Sequence, residues 1–112
     1  MDWNVVDLGN GITLVELSGR LDVPGALKAD PAFSEIASNN THVIVDLSQV
    51  AFLASLGIRT LVTTCKSLRG KNGNMVLLSP QANIEQVLRS SGIDTIIPIA
   101  TDRAAAEASV LA

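Results

Sequence analysis

The sequence predicts an α/β fold with a mixed β-sheet, in the element order β-β-α-β-α-β-α-β-α. Three features support this prediction: the Asn10-Gly11 dipeptide between two short apolar segments, an unbroken β-branched run at residues 43–45, and a helical apolar stripe within residues 55–69. Strands that alternate with helices form parallel sheets with right-handed crossovers, and a leading hairpin adds an antiparallel strand. A chain of 112 residues fits one domain, which we expect to span residues 1–112.

The chain is predicted to begin with a β-hairpin. Residues 3–8 and 12–17 are rich in apolar side chains and have the pattern of two short strands. Asn10-Gly11 between them tolerates the positive φ angles of a tight turn. Gly19 and Asp22 are expected to end the second strand.

A helix is predicted to follow the hairpin. Asp22 suits its N-cap, and Pro24 suits its first turn, where a proline loses no hydrogen bond. Pro31 is expected to interrupt or restart the helix, because its ring clashes with the carbonyl four residues earlier. An apolar face then continues to about Ser38, and Asn39-Asn40 is expected to form a loop.

The middle of the chain carries the most regular pattern. Residues 42–47 predict a strand that is covered on both faces, because they contain the run Val-Ile-Val at 43–45 without a polar break. Residues 48–54 are expected to be a connection, and residues 55–69 a helix that ends near Gly70 and Gly73. The predicted buried stripe of this helix consists of Ile58, Leu61, Val62, Cys65 and Leu68.

The last third of the chain predicts two further strands and two helices. Residues 75–78 form a strand that Ser79-Pro80 stops, and a short helix around residues 84–88 ends at Gly92. Residues 96–99 predict a strand at the sheet edge, because Pro98 has no N–H to donate to a neighbour. Thr101 and Asp102 can cap a final helix that runs to residue 111.

Composition and charge argue against several classes of function. Hydrophobic residues make up 47% of the chain and charged residues 17%, which suits a packed core rather than disorder. A net charge of -3, a pI near 4.9 and only 3% aromatic residues oppose binding to nucleic acid or to anionic membranes. The single cysteine, Cys65, allows no internal disulfide, which suits a reducing cytosol. With no signal-peptide pattern and no apolar run long enough for a bilayer, we expect a cytoplasmic protein without membrane insertion.

No catalytic or metal-binding motif stands out in the sequence. Residues 70–73, Gly-Lys-Asn-Gly, follow a helix and precede a strand, which is the reverse of the order that a phosphate-binding loop needs. One histidine, His42, and one cysteine, Cys65, do not make up a metal-ligand cluster, and Cys65 fits an apolar position of its helix. We therefore expect no cofactor, no catalytic residue and no enzymatic activity.

Ser55 is the position where the pattern allows a chemical role. It enters the most regular helix, where a serine side chain can cap free backbone amides. A phosphate on the same hydroxyl would meet those amides and the positive end of the helix dipole, and it would add about two negative charges. The local pattern leaves both interpretations open, a structural cap and a phosphorylation switch.

The central segment, residues 43–62, resembles that of STAS domains: an apolar strand, Asp-Leu-Ser-x-Val, a short link, and Asp-Ser-Ser/Thr-Gly at a helix start. Residues 19–22, Gly-Arg-Leu-Asp, are similar to the family's Gly-x-Leu-Asp after the second strand. Residues 75–80 and 87–93 are similar to its later strand and helix. The similarity extends over almost the whole chain, and it implies a STAS-like sheet with helices packed mainly on one side.

The resemblance implies an anti-sigma factor antagonist, which is a protein-binding switch. Such a protein binds an anti-sigma factor serine kinase and so releases a sigma factor. The kinase phosphorylates the serine that opens the central helix, and a phosphatase removes the phosphate. By position Ser55 matches this phospho-acceptor, Gly57 matches the glycine two residues later, and Asp22 and Asp46 match acidic positions at the same end of the sheet. The implied partner-binding surface consists of Asp22, Val23, Ala54, Ser55, Leu56, Gly57 and Arg59.

Two residues depart from the family pattern. Ala54 stands where the family carries Asp, which removes a carboxylate that could orient the serine hydroxyl or a kinase's metal ion. Leu56 replaces the second Ser or Thr and is expected to make the exposed tip more apolar. These departures leave open a constitutive scaffold or adaptor in a larger signalling or lipid-transport complex, without phosphorylation. The aliphatic composition also leaves open a ligand sensor or enzyme with an apolar pocket. The pattern does not distinguish a monomer from a homodimer.

Overall fold

The computed structural model describes residues 1–112 and contains a five-stranded sheet, four α-helices and one short 3₁₀-helix. The element order is the predicted one apart from the 3₁₀-helix, Ile93–Thr95. The strands are β1 (Asp2–Gly9), β2 (Ile12–Leu21), β3 (His42–Leu53), β4 (Asn74–Leu78) and β5 (Ile99–Ala100). The helices are α1 (Val23–Asn39), α2 (Ser55–Arg69), α3 (Ala82–Ser90) and α4 (Arg103–Leu111). Each helix is too short or too polar to cross a lipid bilayer.

The sheet is mixed, and its strands lie in sequence order from β1 to β5. β1 pairs with β2 in the antiparallel direction, and the other neighbouring pairs are parallel. Asn10 and Gly11 have φ angles of 54° and 75°, as the predicted tight turn requires. The predicted hairpin and the mixed sheet are therefore confirmed.

The two faces of the sheet are covered unequally. Helices α1, α2 and α3 bury the larger core against one face, with Phe33, Leu61 and Leu88 as one contribution from each helix. Helix α4 covers the other face, where Ala106 and Val110 belong to the same core as Ile44 and Val76. The prediction that helices pack mainly on one side is confirmed, because three of the four do so.

Strands β2 and β3 extend well past their predicted ends. Gly19 was expected to end β2, but it takes φ 107° within the strand, next to a shift of register. Residues 48–54 were expected to be a connection, yet residues 49–53 pair with residues 18–21 of β2. These predictions were wrong because pairing between two strands outweighs the local pattern, and bulges let the ribbon twist as it continues.

The extended part of β3 has no strand beside it on its β4 side, because β4 ends at Leu78 opposite Asp46. Two side chains near the start of α3 donate hydrogen bonds to this edge instead. Gln81 Nε2 donates to the carbonyl of Ser48 at 2.9 Å, and Asn83 Nδ2 donates to that of Ala51 at 3.5 Å. Side chains that bond an edge in this way also prevent it from pairing with another chain.

Helix α1 is continuous through Pro31, so the predicted interruption is wrong. Pro31 and Leu27, whose carbonyl would normally accept from residue 31, are both exposed, and the freed carbonyl can bond water instead. The start of α1 is as predicted, with Asp22 as the N-cap and Pro24 in the first turn.

The buried face of α2 is rotated from the predicted stripe. Leu61, Cys65 and Leu68 are buried as expected, but Ile58 and Val62 are only half-buried. Thr60 and Thr64 are buried in their place, because α1 packs beside α2 and the threonine hydroxyls donate to carbonyls of the preceding turn. A pattern of apolar residues alone does not show threonines that satisfy their own polar groups.

The last strand is shorter than predicted and lies later in the chain. Residues 93–95 form the 3₁₀-helix, and residues 96 and 97 follow it directly. The amides of Ile96 and Ile97 both donate to the carbonyl of Ile93. Only Ile99–Ala100 pair with β4. The predicted edge position is confirmed, and the carbonyl of Pro98 accepts a hydrogen bond from the amide of Leu77 at 2.9 Å.

Candidate functional site

Helices α1 and α2 begin side by side at one edge of the sheet. β2 and β3 end at the paired residues Leu21 and Leu53, and each strand leads into a helix after one further residue. The amide of Ala54 donates to the carbonyl of Leu21 at 2.9 Å, which joins the two strand-to-helix turns. We call this region the helix-start surface: residues 22–25 and 54–57 with the adjoining side chains of Arg20 and Phe52.

The start of α1 is closed by its own carboxylate. Asp22 Oδ1 accepts from the amide of Gly25 at 2.8 Å, and Oδ2 lies 3.4 Å from Arg20 Nε. The Gly25 amide, and then Arg20, hold the pKa of Asp22 below its usual value. The Arg20 guanidinium also lies over the ring of Phe52, 4.5 Å from its centre. One carboxylate oxygen of Asp22 therefore caps α1, and the other pairs with Arg20 of β2.

The start of α2 has no side-chain cap. Its N-cap is Ala54, with φ -95° and ψ 166°, and a methyl group accepts no hydrogen bond. Ser55 is the first residue inside the helix and is exposed. The interpretation of Ser55 as the N-cap is therefore wrong, because a cap must occupy the extended position before the helix. The first intrahelical bond runs from the amide of Ile58 to the carbonyl of Ala54, so three earlier amides lack a helical acceptor.

Glycines hold both helix starts close to the end of β2. A Cβ atom at Gly57 would lie 2.7 Å from Leu21 Cγ and 2.8 Å from the Leu21 carbonyl oxygen. A Cβ atom at Gly25 would lie 2.2 Å from the carbonyl oxygen of Arg20. Both distances are below van der Waals contact, so each glycine is required by close packing. Gly57 is buried and therefore positions the α2 start rather than forming contact surface.

The structure brings the sequence-predicted site residues together, with different exposures. Val23 is 53% exposed, and Ser55 and Arg59 are also exposed. Ala54 is half-buried, and Leu56 is half-buried against the larger core, so Leu56 adds little of the exposed apolar surface that was expected from it.

Sequence reasoning missed Phe52 and misplaced Asp46. Phe52 is 40% exposed at the helix-start surface, but it lies in the segment predicted to be a connection. The apolar spacing of Val50, Phe52 and Leu53 was the signal that could have indicated a strand. Asp46 pairs in register with Glu16, several residues before the end of β2, and its Oδ1 accepts from the amide of Ser48 at 2.9 Å. It is therefore not level with Asp22.

The other features of the fold offer little reactive chemistry. A groove of about 340 Å³ between α1 and α2 is lined mostly by polar side chains, including Asp30, Thr64 and Lys71. No group of three or more His, Cys, Asp or Glu side chains could hold a metal ion. Cys65 is fully buried, and burial raises the pKa of its thiol.

Comparison with known proteins identifies the family. The family model of the STAS domain matches residues 5–106. This chain belongs to the STAS domain family. Among the similar proteins, the anti-sigma factor antagonist BtrV of Bordetella bronchiseptica is 28% identical over 106 residues, which cover 93% of this STAS domain chain and 90% of BtrV. The anti-sigma-F factor antagonist RsfB of Mycobacterium tuberculosis is 32% identical over 60 residues, covering 53% of this chain and about half (49%) of RsfB.

Solved structures share the fold of this STAS domain. An anti-sigma factor antagonist from Mycobacterium paratuberculosis superimposes with a TM-score of 0.89 at 24% identity, covering 99% of this chain and 94% of that one. The Bacillus cell fate determinant SpoIIAA in its phosphorylated form gives a TM-score of 0.73 at 19% identity, covering 96% of this chain and 99% of that one. The STAS-like α/β fold predicted from the sequence is thereby confirmed.

Proposed function

We propose that this STAS domain is an anti-sigma factor antagonist, a binding protein without enzymatic activity that acts in the cytoplasm. In this proposal the helix-start surface binds an anti-sigma factor serine kinase. Phosphorylation of Ser55 releases the kinase, and a phosphatase restores binding. The observation that carries the proposal is the exposed hydroxyl of Ser55 on the first residue of an uncapped helix.

Similar proteins support this proposal. BtrV and RsfB are both named as antagonists of anti-sigma factors, and SpoIIAA exists in unphosphorylated and phosphorylated forms. Gly57 of this chain occupies the position of the family glycine. Its close approach to Leu21 explains why a residue without a side chain is needed there. The similarity in sequence and the geometry of the α2 start therefore favour the same function.

The α2 start suits a phosphate on Ser55. The amides of the first turn have no side-chain acceptor, and the helix dipole places partial positive charge there. A phosphoserine carries about two negative charges and three acceptor oxygens, so the helix could hold it without unfolding. Those charges would stand beside exposed Val23 and Phe52, where an apolar partner surface would then lose contact.

The experiment for this function uses the purified chain with ATP, magnesium and lysate of its own source, followed by intact-mass and peptide mass spectrometry. We expect one added phosphate, on Ser55, and none in the Ser55→Ala variant. Ser55→Ala should retain an anti-sigma factor kinase, and Ser55→Asp should bind it at least about tenfold more weakly. Ser91→Asp, at an exposed serine beyond α3, is the charge-matched control and should bind normally. Equal affinity of the Ser55→Ala and Ser55→Asp variants would rule out the switch.

A constitutive scaffold or adaptor is the second candidate, and Ala54 favours it. No carboxylate stands beside Ser55 to orient its hydroxyl or a kinase's metal ion, because both oxygens of Asp22 are engaged with α1 and Arg20. This candidate predicts a stable complex that forms without ATP and is unaffected by Ser55→Glu. An unmodified Ser55 together with such a complex would replace the switch by the scaffold.

A further inference from the structure

The charge of the chain is distributed unevenly around α2. Residues 55–71 contain four of the eight basic residues and none of the eleven acidic ones, although the chain as a whole has a net charge of -3. Every acidic residue therefore lies outside α2 and the turn that follows it. A basic helix in an acidic chain is a local feature rather than a consequence of composition.

Three of the basic residues share the outer face of α2. The outer face carries residues three or four positions apart, and half-buried Val62 fills the step between Arg59 and Lys66. The other residues on this face are Ser55, Arg59, Lys66 and Arg69. This face lies opposite the buried one, to which Thr64 belongs. We call Arg59, Lys66 and Arg69 the basic stripe, which extends for about 15 Å along the helix.

The basic stripe has no carboxylate partner within the chain. The ion pairs of the structure are made by Arg20, Arg89 and Arg103 with neighbouring Asp and Glu side chains. Arg69 donates to neutral acceptors instead, the carbonyl of Ile96 and the side chain of Asn74.

An acidic residue lies near one end of the stripe but makes no ion pair with it. Asp30 of α1 lines a small cleft with Arg59, and the ion pairs of the structure do not join the two side chains. The Asp30 carboxylate shares the hydroxyl proton of Thr60, at 3.0 Å, with the carbonyl of Leu56. Every arginine outside α2 forms an ion pair with an Asp or Glu side chain, whereas Arg59 and Lys66 present unpaired charge to solvent.

We propose that the basic stripe docks against an acidic surface of the protein that binds the helix-start surface. This inference rests on the proposed function and adds the chemistry of the partner. The stripe begins one turn after Ser55, so it continues the helix-start surface along α2. An acidic protein surface is favoured over nucleic acid, because three cations in a chain of net charge -3 give weak attraction to a polyanion.

The stripe also explains how a phosphate on Ser55 would act. Ser55 and Arg59 are four residues apart, so a phosphate on the first would face the guanidinium of the second on the same helix face. About two added negative charges would offset most of the charge of the stripe. Phosphorylation would then weaken docking by removing charge complementarity, in addition to changing the surface at Val23 and Phe52.

The decisive variant is the double substitution Arg59→Glu with Lys66→Glu. Its matched control is Arg89→Glu with Arg103→Glu, which gives the same net charge by reversing two paired, exposed arginines on other helices. Against the anti-sigma factor kinase, at about 0.1 M salt, we expect the stripe variant to bind at least about tenfold more weakly and the control to bind within about twofold of the wild type. The difference in affinity between the two double variants should shrink at about 1 M salt, because salt screens the charges. Equal affinities of the two double variants would overturn the inference while leaving the proposed function intact.

A second measurement does not depend on the kinase. NMR spectra of the ¹⁵N-labelled chain are recorded during titration with an octaglutamate peptide, with a short DNA duplex, and with phosphatidylserine vesicles. We expect the peptide to shift amide signals of residues 55–71 in the wild type and in the control, but not in the stripe variant.

If the wild type does not bind the kinase but these shifts occur, the proposed function fails and the acidic-surface inference stands. Binding of DNA or vesicles without binding of the peptide would overturn it, and so would peptide shifts that are unchanged in the stripe variant. Thermal unfolding of each variant confirms that it is folded.

Discussion

The two helices that begin at the same edge of the sheet meet the same physical problem in different ways. Both α1 and α2 start directly after paired strands, and both press a glycine against the end of β2. At α1, Asp22 caps the free amides and pairs with Arg20. At α2, Ala54 leaves them uncapped, and exposed Ser55 follows.

The difference shows how one scaffold can hold a permanent negative charge at one helix start and leave the other helix start without one. The first turn of a helix favours a negative group, because its amides are free and the dipole is positive there. The α1 start has that group in its own sequence. The α2 start lacks it and has a basic stripe along the same helix, so a negative charge added at Ser55 changes the electrostatics of a whole exposed face.

Removing the feature that the two starts share should have the largest effect. Gly25→Ala places a Cβ atom 2.2 Å from a backbone oxygen, and we expect a loss of about 3 kcal/mol in the free energy of unfolding. Gly57→Ala should lose less, about 2 kcal/mol, because part of its clash is with the movable side chain of Leu21. Urea unfolding measures both. The control Gly70→Ala, where the nearest contacts are 3.5 Å, should change little, and a loss there as large as at Gly25 would contradict the packing argument.

Giving α2 the cap that α1 has should reduce the difference between them. Ala54 already has the extended backbone of an N-cap, so Ala54→Asp should raise the free energy of unfolding by about 1 kcal/mol. Ala54→Asn separates capping from charge and should give much of the same gain at high salt. The measurement is the midpoint of the urea unfolding curve, compared between variants whose free energy of unfolding has the same dependence on urea concentration. No gain from either substitution would mean that the α2 amides already have acceptors.

A negative charge at the first helical residue should stabilise α2 more than α1. Ser55→Asp faces an uncapped helix, and we expect a gain of about 0.5 kcal/mol even as partner binding weakens. Val23→Asp occupies the same position of α1 beside the charged cap Asp22, and repulsion between the carboxylates should cancel the gain. Thermal unfolding at low salt compares the two variants. Equal stabilisation of both would show that the cap on α1 does not matter.

The smallest expected effect is a pH dependence that belongs to α1 alone. The pKa of Asp22 is lowered in the folded state by the Gly25 amide and Arg20, from its usual value of 3.8. Its stabilising contribution is therefore complete above that value and is lost as the pH falls through the lowered folded pKa. Asp22→Asn should lie below the wild type in Tm at pH 7 and approach it as the pH falls well below 3.8. A Tm difference that stays constant down to pH 2 would contradict this assignment.

The site could be predicted from the sequence where one local pattern determines it. The cap role of Asp22 and the helix beginning at Ser55 follow from turn and helix chemistry within a few residues. The extended position of Ala54, which makes it the N-cap in place of Ser55, and the exposure of Phe52 could not be predicted, because both depend on β3 continuing to Leu53. That continuation is fixed by pairing with β2, a contact between residues about thirty positions apart.

The sequence by itself determined the element order, the hairpin, the start of each major helix and the accumulation of basic residues on α2. These depend on residue type and spacing over one or two turns, where local sterics and apolar periodicity dominate. Only the tertiary structure decided that Pro31 lies within a continuous helix, that Thr60 and Thr64 are buried, and that Arg59 and Lys66 stay unpaired. Each of those outcomes depends on which neighbour, another helix, another strand or water, completes the hydrogen bonds and charges that the local chain leaves unsatisfied.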